Sequence, residues 1–120
     1  MDTLKLCDSD YRFMTIVWDH EPLTSPELVK HCADILGWKK STTYTVLKKL
    51  SEKGFTQNVD TVVTALIPRE AVQAYESERF IDQTFGGSLP KFLVSFFDGR
   101  KISAKEAAAL KKLIDSHQED

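Results

Sequence analysis

The chain has 120 residues, a formal net charge of -2, 42% hydrophobic and 28% charged side chains, which suits one compact domain with an appended arm and excludes a disordered tail or a disulfide scaffold. No apolar run approaches the roughly 18 residues of a membrane-spanning helix, so no membrane insertion is expected, and the five acids within residues 1–21 argue against a secretory leader. Two cysteines, Cys7 and Cys32, fit a reducing, cytoplasmic setting.

Tyr11, Met14, Ile16, Val17 and Trp18 recur at roughly helical spacing. They predict a first helix, capped by Asp8 or Ser9 and ended by His20, Glu21 and Pro22. In LTSPELVKHCADILGW, Ser25 is placed as the N-cap, Pro26 at the first helical position and Glu27 in the first turn. Leu28, Val29, Cys32, Ile35 and Leu36 then form an apolar face, and Gly37 stops the helix. Both cysteines read as small buried groups within helical patterns. A third helix is expected from about Ser41 to Lys53, with Val46, Leu47 and Leu50 turned inward and Gly54 as its left-handed cap. After Gly54 the apolar period drops to two. FTQNVDTVVTALIP predicts strands over Phe55–Val59 and Val62–Ile67, a tight turn at Asp60 and Thr61, and closure at Pro68. Helices return over residues 69–85, 88–98 and 103–117, with FGGS as a break, Ser103 as a cap and Glu106 in the box position.

Three helices followed by a β-hairpin make a mainly α fold of the winged helix-turn-helix plan, in which the third helix enters the major groove of DNA. Residues 1–68 are assigned to this winged-helix DNA-binding domain and residues 69–120 to a C-terminal helical dimerisation region. The later helices are too few and too amphipathic to build a second independent core. Their apolar faces need a partner.

The charge is unevenly spread. Residues 38–54 hold Lys39, Lys40, Lys48, Lys49 and Lys53 against the single acid Glu52, while every other stretch is net acidic. A concentrated basic stripe matters more for nucleic-acid binding than the charge of the whole chain. Within STTYTVLKKL, helical geometry puts Thr42, Thr45 and Lys49 on one stripe, with Ser41, Tyr44 and Lys48 beside it. Threonine methyls pack on thymine methyls, hydroxyls bond base edges or phosphates, and lysines neutralise phosphates. Candidate DNA-binding residues are therefore Lys39, Lys40, Ser41, Thr42, Tyr44, Thr45, Lys48 and Lys49. A solvated helix face is the plainer alternative, but exposed β-branched threonines are poor helix formers and stability alone would not favour them.

Enzyme chemistry has no comparable support. His20, His31 and His117 are scattered, FGGS lacks the lysine and preceding strand of a phosphate-binding loop, and Glu76 and Glu78 do not face each other. No catalytic residue, metal site or cofactor is expected.

Several stretches in order resemble the penicillinase-repressor family of bacterial transcriptional regulators. Met14 and Trp18 with VWDHEPLTSPEL resemble its first-helix signature, and TTYTVLKKLSEKGF its recognition helix. IPREAV resembles the hairpin exit, FGGS the break before the dimerisation helices, and ISAKEAAALKKLI the last helix. The resemblance implies a homodimeric repressor on double-stranded, pseudo-palindromic operator DNA. Phe80, Phe85, Leu89, Phe92, Leu93, Phe96, Leu110, Leu113 and Ile114 would anchor the dimer, the alternative being an intrachain core. In the family, a protease inactivates the repressor at an Asn-Phe bond in the second arm helix; the matching pair here is Ser95-Phe96, which departs from that pattern and leaves an inactivating protease an open question. Copper-responsive relatives have a cysteine-rich C-terminus, absent from IDSHQED. TQNVDTVVT, the wing, has one acid and no base, so it should add little phosphate binding. A winged-helix adaptor that dimerises without binding DNA is the alternative function.

Overall fold

The computed structural model describes residues 4–119. Its elements in chain order are α1 (Asp8–His20), β1 (Leu23–Thr24), α2 (Ser25–Leu36), α3 (Lys40–Glu52), β2 (Thr56–Val59), β3 (Val62–Ala65), α4 (Arg69–Phe85), α5 (Leu89–Phe96) and α6 (Ala104–Ser116). Three helices and a small antiparallel sheet in the order β1-β3-β2 form the winged helix-turn-helix. Compact packing divides the chain into two units, one running to Arg79 and one from Phe80, so the division falls within α4.

The first unit folds around Phe13, Met14 and Val17 of α1, Leu28 and Cys32 of α2, Leu47 and Leu50 of α3, then Phe55, Val63 and Val72, all buried. Trp18 is half-buried, and its indole N–H donates to the Ile67 carbonyl at 3.0 Å while the Arg69 guanidinium lies 5.5 Å from its ring centre. Arg69 also pairs with Asp19. The two signature residues of α1 thus have separate tasks: Met14 fills the core, and Trp18 ties α1 to the exit of the hairpin.

The cap of α2 is Thr24, not Ser25. Thr24 Oγ1 accepts from Glu27 N–H at 3.2 Å and the Glu27 carboxylate accepts from Thr24 N–H at 2.9 Å, a full capping box. Ser25 is instead the first helical residue, buried, with its N–H donating to the Thr61 carbonyl at 2.8 Å. The shift by one residue has a cause in the sheet. Leu23 and Thr24 pair with Val63 and Val62 as β1, a two-residue strand too short to show an apolar period.

Other expectations also change in detail. Cys7 lies outside the helices, exposed, at the N-cap of α1, and makes no side-chain cap bond. Ile35 is 55% exposed, so the buried face of α2 is narrower than its apolar pattern. On α3 the fully buried residues are Thr43, Leu47 and Leu50, whereas Val46 is only half-buried. Strands β2 and β3 are shorter than predicted: Leu66 N–H still donates to the Phe55 carbonyl, but Phe55 N–H turns to the Leu50 carbonyl at the end of α3. Asp60 and Thr61 both have positive φ, 52° and 65°, the geometry of a tight hairpin turn.

In the second unit, α5 is capped by Ser88 and α6 by Ser103, whose hydroxyl accepts from Glu106 N–H at 3.0 Å. Phe80, Phe85 and Phe92 pack edge to face with ring centres 5.4 to 6.0 Å apart, and Phe96 adjoins Phe92. Yet none of the described residues from 80 to 119 is buried.

Candidate nucleic-acid interface

Packing against the core sets which face of α3 is free. Thr43, Leu47 and Leu50, spaced four and three residues apart, fix the inward side. Lys39, Lys40, Ser41, Thr42, Thr45 and Lys48 are all left exposed. Among the described residues, Lys39, Lys40, Lys48 and Lys53 take part in no ion pair. Four ammonium groups therefore gather on and around one helix without an ion-pair partner among the described residues, leaving them available to phosphates.

The hydroxyls are not equivalent. Thr45 Oγ1 donates to the Ser41 carbonyl at 2.9 Å, which leaves its oxygen only as an acceptor and turns the side chain by a fixed rotamer. Thr42 lies three residues earlier on the same stripe, exposed. Tyr44 is half-buried; its hydroxyl sits 3.5 Å from Ser25 Oγ, and the Lys40 ammonium lies 6.0 Å from its ring centre. Tyr44 thus stands at the junction of α2 and α3, with Lys40 drawn over it. Lys49 is placed differently from its neighbours. Its ammonium bonds Asp10 Oδ1 at 2.8 Å, so its charge is paired within the chain although the side chain is 43% exposed. Spacing along α3 could not reveal this, because Asp10 lies 39 residues away on α1.

At the wing tip, Val59 is 56% and Val62 40% exposed, flanking Asp60. The tip is apolar and acidic, with no cation to offer a phosphate.

Outside this face the chemistry is sparse. The rings of His20 and His31 stack at 4.0 Å, nearly parallel at 4°, so two of the three histidines expected to be scattered are brought together. A parallel stack does not converge two nitrogens on one ion, and among the described residues no three His, Cys, Asp or Glu side chains gather as metal ligands. Burial pushes the Cys32 thiol above its ordinary range, which favours an unreactive core residue. Among the described residues no helix is long and apolar enough to cross a membrane.

The predicted dimer anchors all lie in the second unit. Phe80 is 49%, Leu89 54%, Phe96 46%, Leu110 36%, and Leu113 and Ile114 each 56% exposed. Phe85, Phe92 and Leu93 are half-buried. Between α5 and α6, Phe92, Leu93, Phe96, Phe97, Ile102 and Leu110 line a groove of about 260 Å³. Ser95 and Phe96 lie at the end of α5, both exposed.

Comparison with known proteins agrees with this architecture. A penicillinase repressor of Bacillus licheniformis is 21% identical over 118 residues, covering 95% of this chain and 92% of the relative. The family profile described as penicillinase repressor matches residues 6–116. With its winged helix-turn-helix and a family match over nearly its full length, the chain belongs to the penicillinase repressor family, whose members are regulators of transcription rather than enzymes.

Proposed function

We propose that the chain is a sequence-specific DNA-binding repressor that acts as a homodimer on a pseudo-palindromic operator. The observation that carries this reading is the free face of α3, where Ser41, Thr42, Thr45 and Lys48 are exposed and, among the described residues, no acid pairs with Lys39, Lys40, Lys48 or Lys53. Threonine methyls and hydroxyls would meet base edges in the major groove, and Lys39, Lys40 and Lys48 the flanking phosphates.

The dimer is supported by the second unit. An isolated bundle with no buried side chain among residues 80–119 has too little core to hold three helices, and its phenylalanines leave apolar surface that a second copy would cover. Two-fold symmetry would then place two copies of α3 in successive major grooves, about one or two helical turns apart. Release by proteolysis is outside this reading, because the pair at the end of α5 is Ser95-Phe96.

One observation favours the adaptor alternative: the apolar, acidic wing tip suits a protein surface better than a phosphate backbone. A nuclease footprint on promoter DNA of the protein's own gene separates the two. The repressor should protect two related half-sites, and Thr42→Ala should weaken protection at both. An unprotected promoter at micromolar protein would favour the adaptor.

A further inference from the structure

We propose that Asp10 positions the recognition helix through Lys49, so that Lys49 orients α3 instead of contacting a phosphate; this rests on the DNA-binding reading above. The Asp10 side chain is only 5% exposed and that of Lys49 43%, and among the described residues the Lys49 ammonium at 2.8 Å is the one cationic partner of Asp10. A buried carboxylate stripped of its cation is strongly destabilising. Swinging Lys49 toward DNA would leave the buried Asp10 carboxylate without its cation.

The ends of the two helices suit this arrangement. Asp10 lies in the first turn of α1, where the helix dipole favours an acid. Lys49 lies in the last turn of α3, where it favours a base. Lys49 also follows Thr45 by four residues and Thr42 by seven, on the same stripe of α3. It thus belongs to the stripe that would face the bases, while its ammonium bonds Asp10 on α1. Rotation or sliding of α3 that moved Thr42 and Thr45 would pull Nζ away from Oδ1. The pair therefore adds a directional polar anchor for that stripe to the non-directional packing of Leu47 and Leu50.

The two roles of Lys49 make opposite demands on Asp10. If Lys49 contacted a phosphate, removing Asp10's charge would free the lysine and tighten binding. If the pair positions α3, the same change weakens it. The test is anisotropy titration of the full chain on a promoter duplex of its own gene over a range of salt, with thermal melts confirming folded protein. Asp10→Asn and Lys49→Met should each weaken binding by roughly tenfold, about one lost base contact, with the log-log salt slope unchanged. Lys49→Arg, which can keep the pair, should bind nearly as wild type does. Lys48→Ala should lower the slope by about 0.9. Tighter binding by Asp10→Asn, or a slope lowered by about 0.9 in Lys49→Met, would overturn the positioning role while leaving the repressor intact. Wild-type protein that binds no duplex would overturn the repressor reading and this one together. If Asp10→Asn does not fold, the slope of Lys49→Met decides.

Discussion

Thr24 shows how much one side chain organises. It ends β1, caps α2, and bonds Glu27 through both its hydroxyl and its N–H. Thr24→Ala should cost about 1 kcal/mol of stability, seen as a fall of roughly 3–6 °C in the melting temperature. Ser25→Ala should cost less, since Ser25 is not the cap. The Thr24 backbone and side-chain bonds hold the Glu27 carboxyl below its usual range. A depressed carboxylate contributes stability above its unfolded pKa and loses it as pH falls through its folded one. Stability should therefore drop below the ordinary carboxylate range, and Glu27→Gln should flatten that part of the acid-melting profile. Serine, proline and glutamate in sequence made a helix start legible here, but the neighbouring threonine took the cap because pairing of Leu23 and Thr24 with β3 held it there. The engagement of Lys49 was illegible for a related reason. A helical wheel shows which side chains share a face of α3 and says nothing of an acid on α1.

At the scale of elements, long periodic segments were readable: α1, α2, α3 and the three later helices lie close to where apolar spacing and glycine or serine punctuation put them. Gly37, left-handed at φ 70°, ends α2 as expected. What failed was local. Thr43, not expected inward, is buried on the inner face of α3, with Val46 packed half-buried beside it, because burial follows the angle at which α3 meets its neighbours, not hydropathy alone. A two-residue strand has no period to read. The turn joining β2 and β3 puts threonine at φ 65°, where a β-branched residue is strained. Thr61→Gly should relieve part of about 1 kcal/mol and raise the melting temperature slightly, while the Ser25 N–H bond to the residue-61 carbonyl persists. On the second unit, Phe92→Ala and Leu113→Glu should shift mass in light scattering from dimer toward monomer at micromolar concentration. Unchanged mass in both variants would remove the proposed interface from α5 and α6.

For the whole molecule, a net charge of -2 first looks unsuited to DNA. The fold answers by segregation. Four lysines without an ion-pair partner among the described residues surround the exposed face of α3, and the acids elsewhere would discourage other faces from approaching phosphate. The wing, unlike α3, offers no cation, so affinity should depend on the helix far more than on the hairpin. Asp60→Asn is expected to leave binding unchanged or slightly tighter. Recognition of DNA by α3 is tested most directly by the salt dependence of binding to promoter DNA of the protein's own gene, measured for the wild type and for Lys48→Ala. Log affinity should fall linearly with log salt, and Lys48→Ala should lower the slope by about 0.9. A slope that Lys48→Ala leaves unchanged, or affinity indifferent to salt, would contradict it.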